Sequence, residues 1–125
     1  MSVLENGIMR EVHKVMAQGN SLIAQFYEER DKVEAMDLFS LYELYSRMIC
    51  QCDEIIDNFN DVMKAYNLTN IYNNRKGINQ VNDYVTNMIE TEFYQARNKV
   101  ISLLQYLERH QFYIDKVLDE YPTLQ

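Results

Sequence analysis

DLFSLYELYSRMICQCDEIIDNFNDVMKAY, from Asp37 to Tyr66, carries one apolar spacing from end to end. Leu38, Leu41, Tyr45, Met48, Cys52, Ile55, Phe59, Val62 and Tyr66 follow in alternating steps of three and four residues. That spacing returns each side chain to the same face of an α-helix, so the repeats share a seam of the coiled-coil type. Asp37 stands just before the run, where its carboxylate can accept the unpaired amide hydrogens of a first turn. The pattern predicts a helix about 44 Å long, at about 1.5 Å per residue, ending near Asn67. Beyond it, NLTNIYNNRKGINQ (Asn67 to Gln80) is rich in Asn and contains Gly77. Such residues bond to nearby backbone or tolerate left-handed conformations, so this stretch reads as a connection.

On the N-terminal side, Leu4, Ile8, Val12, Met16, Ile23 and Phe26 form a second stripe between Val3 and Val33, with Val15, Leu22 and Tyr27 beside it. Gly19 takes the slot between Met16 and Ile23. Either one helix runs through and Gly19 permits a close contact, at about 1 kcal/mol relative to Ala, or Gly19 ends one helix and Asn20 or Ser21 caps the next. The unbroken phase favours one helix.

On the C-terminal side, Ile78, Val81, Val85 and Ile89 lead to Phe93, Ala96, Val100, Leu103, Leu107, His110, Ile114, Val117 and Tyr121, and Pro122 stops the run. The alternation is strict from Phe93 onward. Between Val81 and Phe93 three successive steps of four drift the seam as a stutter does. Taken as continuous, this helix would measure about 66 Å against about 44 Å for its neighbour. A bend or break near Glu90 to Glu92 would reconcile them; a straight helix would project about 20 Å and need another chain to cover it. The expected architecture is all-α: one domain, residues 1–125, forming an antiparallel bundle of three long helices, or four if the first or last one breaks.

Composition narrows the function. The 125 residues include three Gly and one Pro, too few for a sheet protein with many tight turns. Twelve Lys and Arg against 19 Asp and Glu give a net charge of −7, which repels a phosphate backbone and excludes direct nucleic-acid binding. The N-terminal MSVLENGIMREVHKVMAQ has no apolar signal core, and no run approaches about 18 apolar residues, so a cytoplasmic protein without a membrane partner is expected. Cys50 and Cys52 point about 200° apart on a helix and should remain reduced thiols. His13 and His110 are single, and neither Glu11 with His13 nor Glu108 with His110 has the three-residue spacing of a di-iron ligand pair. With no phosphate loop or nucleophile motif either, no metal, no cofactor and no catalytic residue is expected. Met9, Met16, Met48, Met63 and Met88 fall on or near the stripes as adaptable core filler.

Two surfaces stand out as candidates for partners. Glu43, Glu54, Asp57 and Asp61 point away from the Leu38 to Tyr66 seam, and Asp37 to Tyr66 has six acids against Arg47 and Lys64, a net of −4. This acidic stripe suits a partner with a basic surface. On the last helix, Tyr106 and Tyr113 stand one heptad apart on the side predicted to face away from the core, above Leu103 and Ile114, and are the expected contact of a homodimer. In general build the chain is similar to small acidic helical proteins such as bacterial export chaperones and phage-encoded inhibitors, a likeness of architecture without a shared motif. The expected function is a non-enzymatic protein-interaction module: an adaptor, chaperone or inhibitor. The alternative is an acidic mimic of nucleic acid that occupies the basic groove of a DNA- or RNA-binding protein.

Overall fold

A computed structural model of the chain describes residues 2–77 and 81–121. Three helical columns make up the bundle: α1 Val3–Arg30, α2 Leu38–Arg75, and a last column of α3 Asp83–Met88, a π-helical turn Ile89–Phe93 and α4 Tyr94–Glu120. Cross-column contacts fix their directions. Asn60 accepts from Arg97 Nε at 3.2 Å, and Gln111 Nε2 donates to Ser46 and to the Tyr42 carbonyl, so α2 runs antiparallel to the last column. Glu5 meets Asn82 and Phe26 meets Tyr106, so α1 runs parallel to it.

The first helix passes through Gly19 unbroken, as its phase predicts. A Cβ at that position would lie 3.1 Å from Val100 Cγ2 and 3.4 Å from the Phe59 ring. Here the three columns meet, and hydrogen is the only side chain that fits without displacement. The helix ends at Arg30, three residues before the expected Val33, and Val33–Ala35 forms a 3₁₀ turn leading to Asp37. Asp37 caps α2 as expected, its Oδ1 accepting the Ser40 N–H at 2.7 Å. That bond holds its carboxyl below the usual 3.8.

Of the α2 seam, Tyr45, Met48, Cys52, Phe59 and Val62 are buried, while Leu38, Leu41, Ile55 and Tyr66 are half-buried. The helix does not stop near Asn67. It continues for two more turns to Arg75, and Thr69 and Asn73 are buried on it. Tyr66, Thr69 and Asn73 extend the same steps of three and four, so the seam outruns its apolar residues. Thr69 remains satisfied by donating to the Ala65 carbonyl at 2.9 Å. The expected connection therefore shrinks to the segment after Arg75, with Gly77 at φ 81° making the turn. Ile78, Asn79 and Gln80, and the tail from Pro122, lie outside the described residues.

The chain returns through two side-chain clamps. Asn70 Oδ1 accepts the Val81 N–H at 3.0 Å, and Glu5 Oε2 accepts the Asn82 N–H at 3.1 Å. Asn82 in turn caps α3 by accepting from the Tyr84 N–H. The stutter interrupts the regular α-helix at the expected place: α3 ends at Met88, α4 begins at Tyr94, and a π-helical turn over Ile89–Phe93 links them. In a regular α-helix each step of four rotates about 40° beyond a full turn. Across Ile89–Phe93 the Tyr94 N–H reaches back five residues to the Ile89 carbonyl, and this wider turn takes up an extra residue. Val81, Val85, Ile89 and Phe93 are all 0% exposed as a result. The last column has six, five and 27 residues, 38 in all, the same as the 38 of α2. The expected length mismatch is thereby removed. At mid-bundle the Phe59 and Phe93 rings pack at 4.9 Å, within one core that also takes in Met48, Leu107, Val12 and Val100.

Candidate functional site

α1 and α4 touch where Gly19 meets Val100 and border a cleft towards the C-terminus of α1. The cleft holds about 630 Å³, within the range of ligand-sized sites. Ile23, Phe26, Tyr27 and Arg30 come from α1, at the i, i+3, i+4, i+7 spacing of one helix face. The opposite wall is α4 from Gln95 to Tyr106, with Leu103 at its base and Lys99 at its rim. Phe26 meets the Tyr106 ring edge-on at 5.5 Å, and the Arg30 guanidinium lies 5.1 Å above the Tyr27 ring. The result is an aromatic floor with two cations at its edges.

Tyr106 is therefore not on the far side of the last helix, as its place in the sequence suggested. It is half-buried against the core, with its ring 4.1 Å from that of His110. Its hydroxyl sits beside Tyr45, whose own hydroxyl is pushed up, chiefly by burial and then by that neighbour. Phe26 supplies the difference: the 100° helical wheel of α4 cannot show which side α1 covers. Tyr113, one heptad on, is 57% exposed. Hence the two tyrosines do not form one surface. Leu103 and Ile114 are core, as expected.

Glu43, Glu54, Asp57 and Asp61 are all exposed on α2. None of the four lines the α1–α4 cleft, although two of them reach the edge of the α1–α2 side. Asp61 borders a second depression, about 380 Å³, between α1 and α2, beside Leu4, Ile8 and Val62; Glu54 borders a smaller polar one with Gln18, Ser21 and Gln51. Cys50 is exposed and Cys52 buried, both free, so only Cys52 fits the reading of a structural thiol. Burial, with the charges of Asp53 and Glu108 behind it, pushes the Cys52 thiol up to about 12.

The cleft was missed because it depends on where two helices that are distant in sequence part. Its one local signal was the Ile23, Phe26, Tyr27, Arg30 spacing, of which only the first three entered the reading, as the apolar stripe and its flank. Among the described residues no group of three or more His, Cys, Asp or Glu is placed to hold a metal, and no helix is long and apolar enough to cross a membrane. Comparison with protein-family models, with curated proteins and with solved structures gives no match.

Proposed function

We propose that the chain is a non-enzymatic protein-interaction module, a small acidic adaptor, chaperone or inhibitor working in the cytoplasm. The observation that carries this reading is the cleft between α1 and α4: Ile23, Phe26, Leu103 and Tyr106 line an opening that the bundle's own three columns do not fill. A helix from another protein would fit there as a fourth column. The acidic mimic is the second reading, supported by the exposure of Glu43, Glu54, Asp57 and Asp61 along one side of α2.

Pull-down from the native source with the wild-type chain and with Ser102→Trp, which fills the cleft from an exposed position, distinguishes the two. A protein held through the cleft is lost from the variant and resists a salt wash of about 0.5 M, where charges more than about 4 Å apart are screened. A basic protein captured equally by both forms and released by salt belongs to the acidic stripe.

Self-association is part of the proposal, with Tyr113 and the exposed Phe112 as its contact. Sedimentation equilibrium at micromolar concentration should show a dimer, and Tyr113→Glu a folded monomer. A wild type that is monomeric throughout removes the dimer.

A further inference from the structure

We propose that the occupant of the α1–α4 cleft is an acidic amphipathic helix: one that carries apolar anchors on one face and carboxylates along its margins. This rests on the interaction-module reading and assigns its partner a chemistry.

Shape argues for a helix. From Gln95 to Tyr106 the α4 wall runs about 16 Å, the length of three helical turns. α1 and α4 run in the same direction and touch at Gly19 and Val100, and the α1 wall from Ile23 to Arg30 adds about 10 Å, two helical turns, opposite α4. Phe26, Leu103 and Tyr106 demand apolar anchors in return.

Charge argues for carboxylates. In a chain with 19 acids and 12 cations, the charged residues lining this cleft are Arg30 and Lys99, both cations. Taking about 100° per residue, Lys99, Arg109 and Lys116 lie within about 60° of the cleft direction and Glu108 and Asp115 point away from it, while Glu120, at the far end of α4 beyond the cleft lining, turns back to the cleft side. On α1, Glu28 and Glu29 likewise point more than about 90° from the cleft-lining face of Ile23 and Arg30. A basic helix would meet like charge on both walls, and an acidic one would meet a cation on each, Arg30 on α1 and Lys99 on α4. A nucleic-acid backbone would satisfy the cations but leave the apolar floor uncovered.

Selection of a displayed library of random 20-residue peptides on the immobilised full chain tests this. The enriched peptides should be net negative, with apolar residues at i, i+3 or i+4, and i+7. Their binding to the soluble chain should weaken at least tenfold in Lys99→Glu and in Ser102→Trp, and remain unchanged in Lys64→Glu on α2. Circular dichroism of each variant confirms that the fold is retained; residues 64, 99 and 102 are all exposed on helices. Enrichment of neutral or basic peptides, or of acidic peptides indifferent to Lys99→Glu and Ser102→Trp, overturns the acidic occupant while leaving an interaction module. No enrichment of any peptide overturns the occupant and the module together.

Discussion

The two ends of the last column differ in cover although a π-turn joins them into one column. At its start, Val81, Val85, Ile89 and Phe93 are fully buried, because α1 and α2 both pack there. At its finish, Phe112 is 62% exposed, and Tyr113 and Tyr121 stand out beside it. α1 stops at Arg30, which the pairing of Phe26 with Tyr106 places near the level of His110. Past that level α2 is the main cover. There α4 still buries its seam residues Ile114 and Leu118, and it is the flank at Phe112 and Tyr113 that loses its neighbour.

The same side chain at the two ends gives the largest contrast. Phe93→Ala should cost about 3–5 kcal/mol, as expected for an aromatic ring removed from a close-packed core. Phe112→Ala should stay within about 0.5 kcal/mol of wild type. Urea unfolding of both, followed by helical ellipticity, checks the pair; equal costs would mean that the finish is as well covered as the start.

Gly19→Ala tests the waist that separates the closely packed region from the open cleft. Ala should gain about 1 kcal/mol of helix propensity, but its Cβ must displace Val100 or the Phe59 ring, and such overpacking costs about 1–3 kcal/mol. A net loss of roughly 1 kcal/mol is expected in the same assay. A stabilised variant would show that the waist yields freely and does not hold α1 against α4.

The smallest effect concerns the end of the molecule where α2 begins. The folded Asp37 carboxyl titrates below its ordinary value because the Ser40 N–H bonds to its charged form. Its contribution is therefore complete above about pH 4 and disappears as pH falls through the lowered folded value. Asp37→Asn should match wild type near neutrality, since both residues cap well, and should lose less of its urea midpoint between pH 4 and pH 2. Identical pH profiles would remove the cap from the account.

Most of the architecture was legible in the spacing of apolar residues: the helix through Gly19, the cap at Asp37, the seam around Phe59. Two elements were not, for different reasons. The end of α2 was misplaced because composition outweighed phase; Thr69 and Asn73 hold the heptad register with polar atoms, one of which is satisfied by its own helix. The stutter was visible in the sequence, but its resolution as a π-turn depended on both neighbours requiring Val85, Ile89 and Phe93 on one line. Of the candidate site, the acidic residues were placed correctly on the surface. The cleft was not legible, because the burial of Tyr106 depends on Phe26, 80 residues away.

The carboxylate of Glu5 bonded to the amide of Asn82 spans 77 residues of chain, and so long a closure bears on the order of folding. α1 and α2 are sequence neighbours and can pair as a local hairpin, whereas every α1 contact with the last column must close a loop of roughly this length. During synthesis the hairpin emerges first, with Met48, Phe59 and Val62 uncovered until the third column arrives. Topology thus predicts that α1 and α2 pair first as an open two-helix trough, and the third column that closes it is also the one that forms the far wall of the cleft.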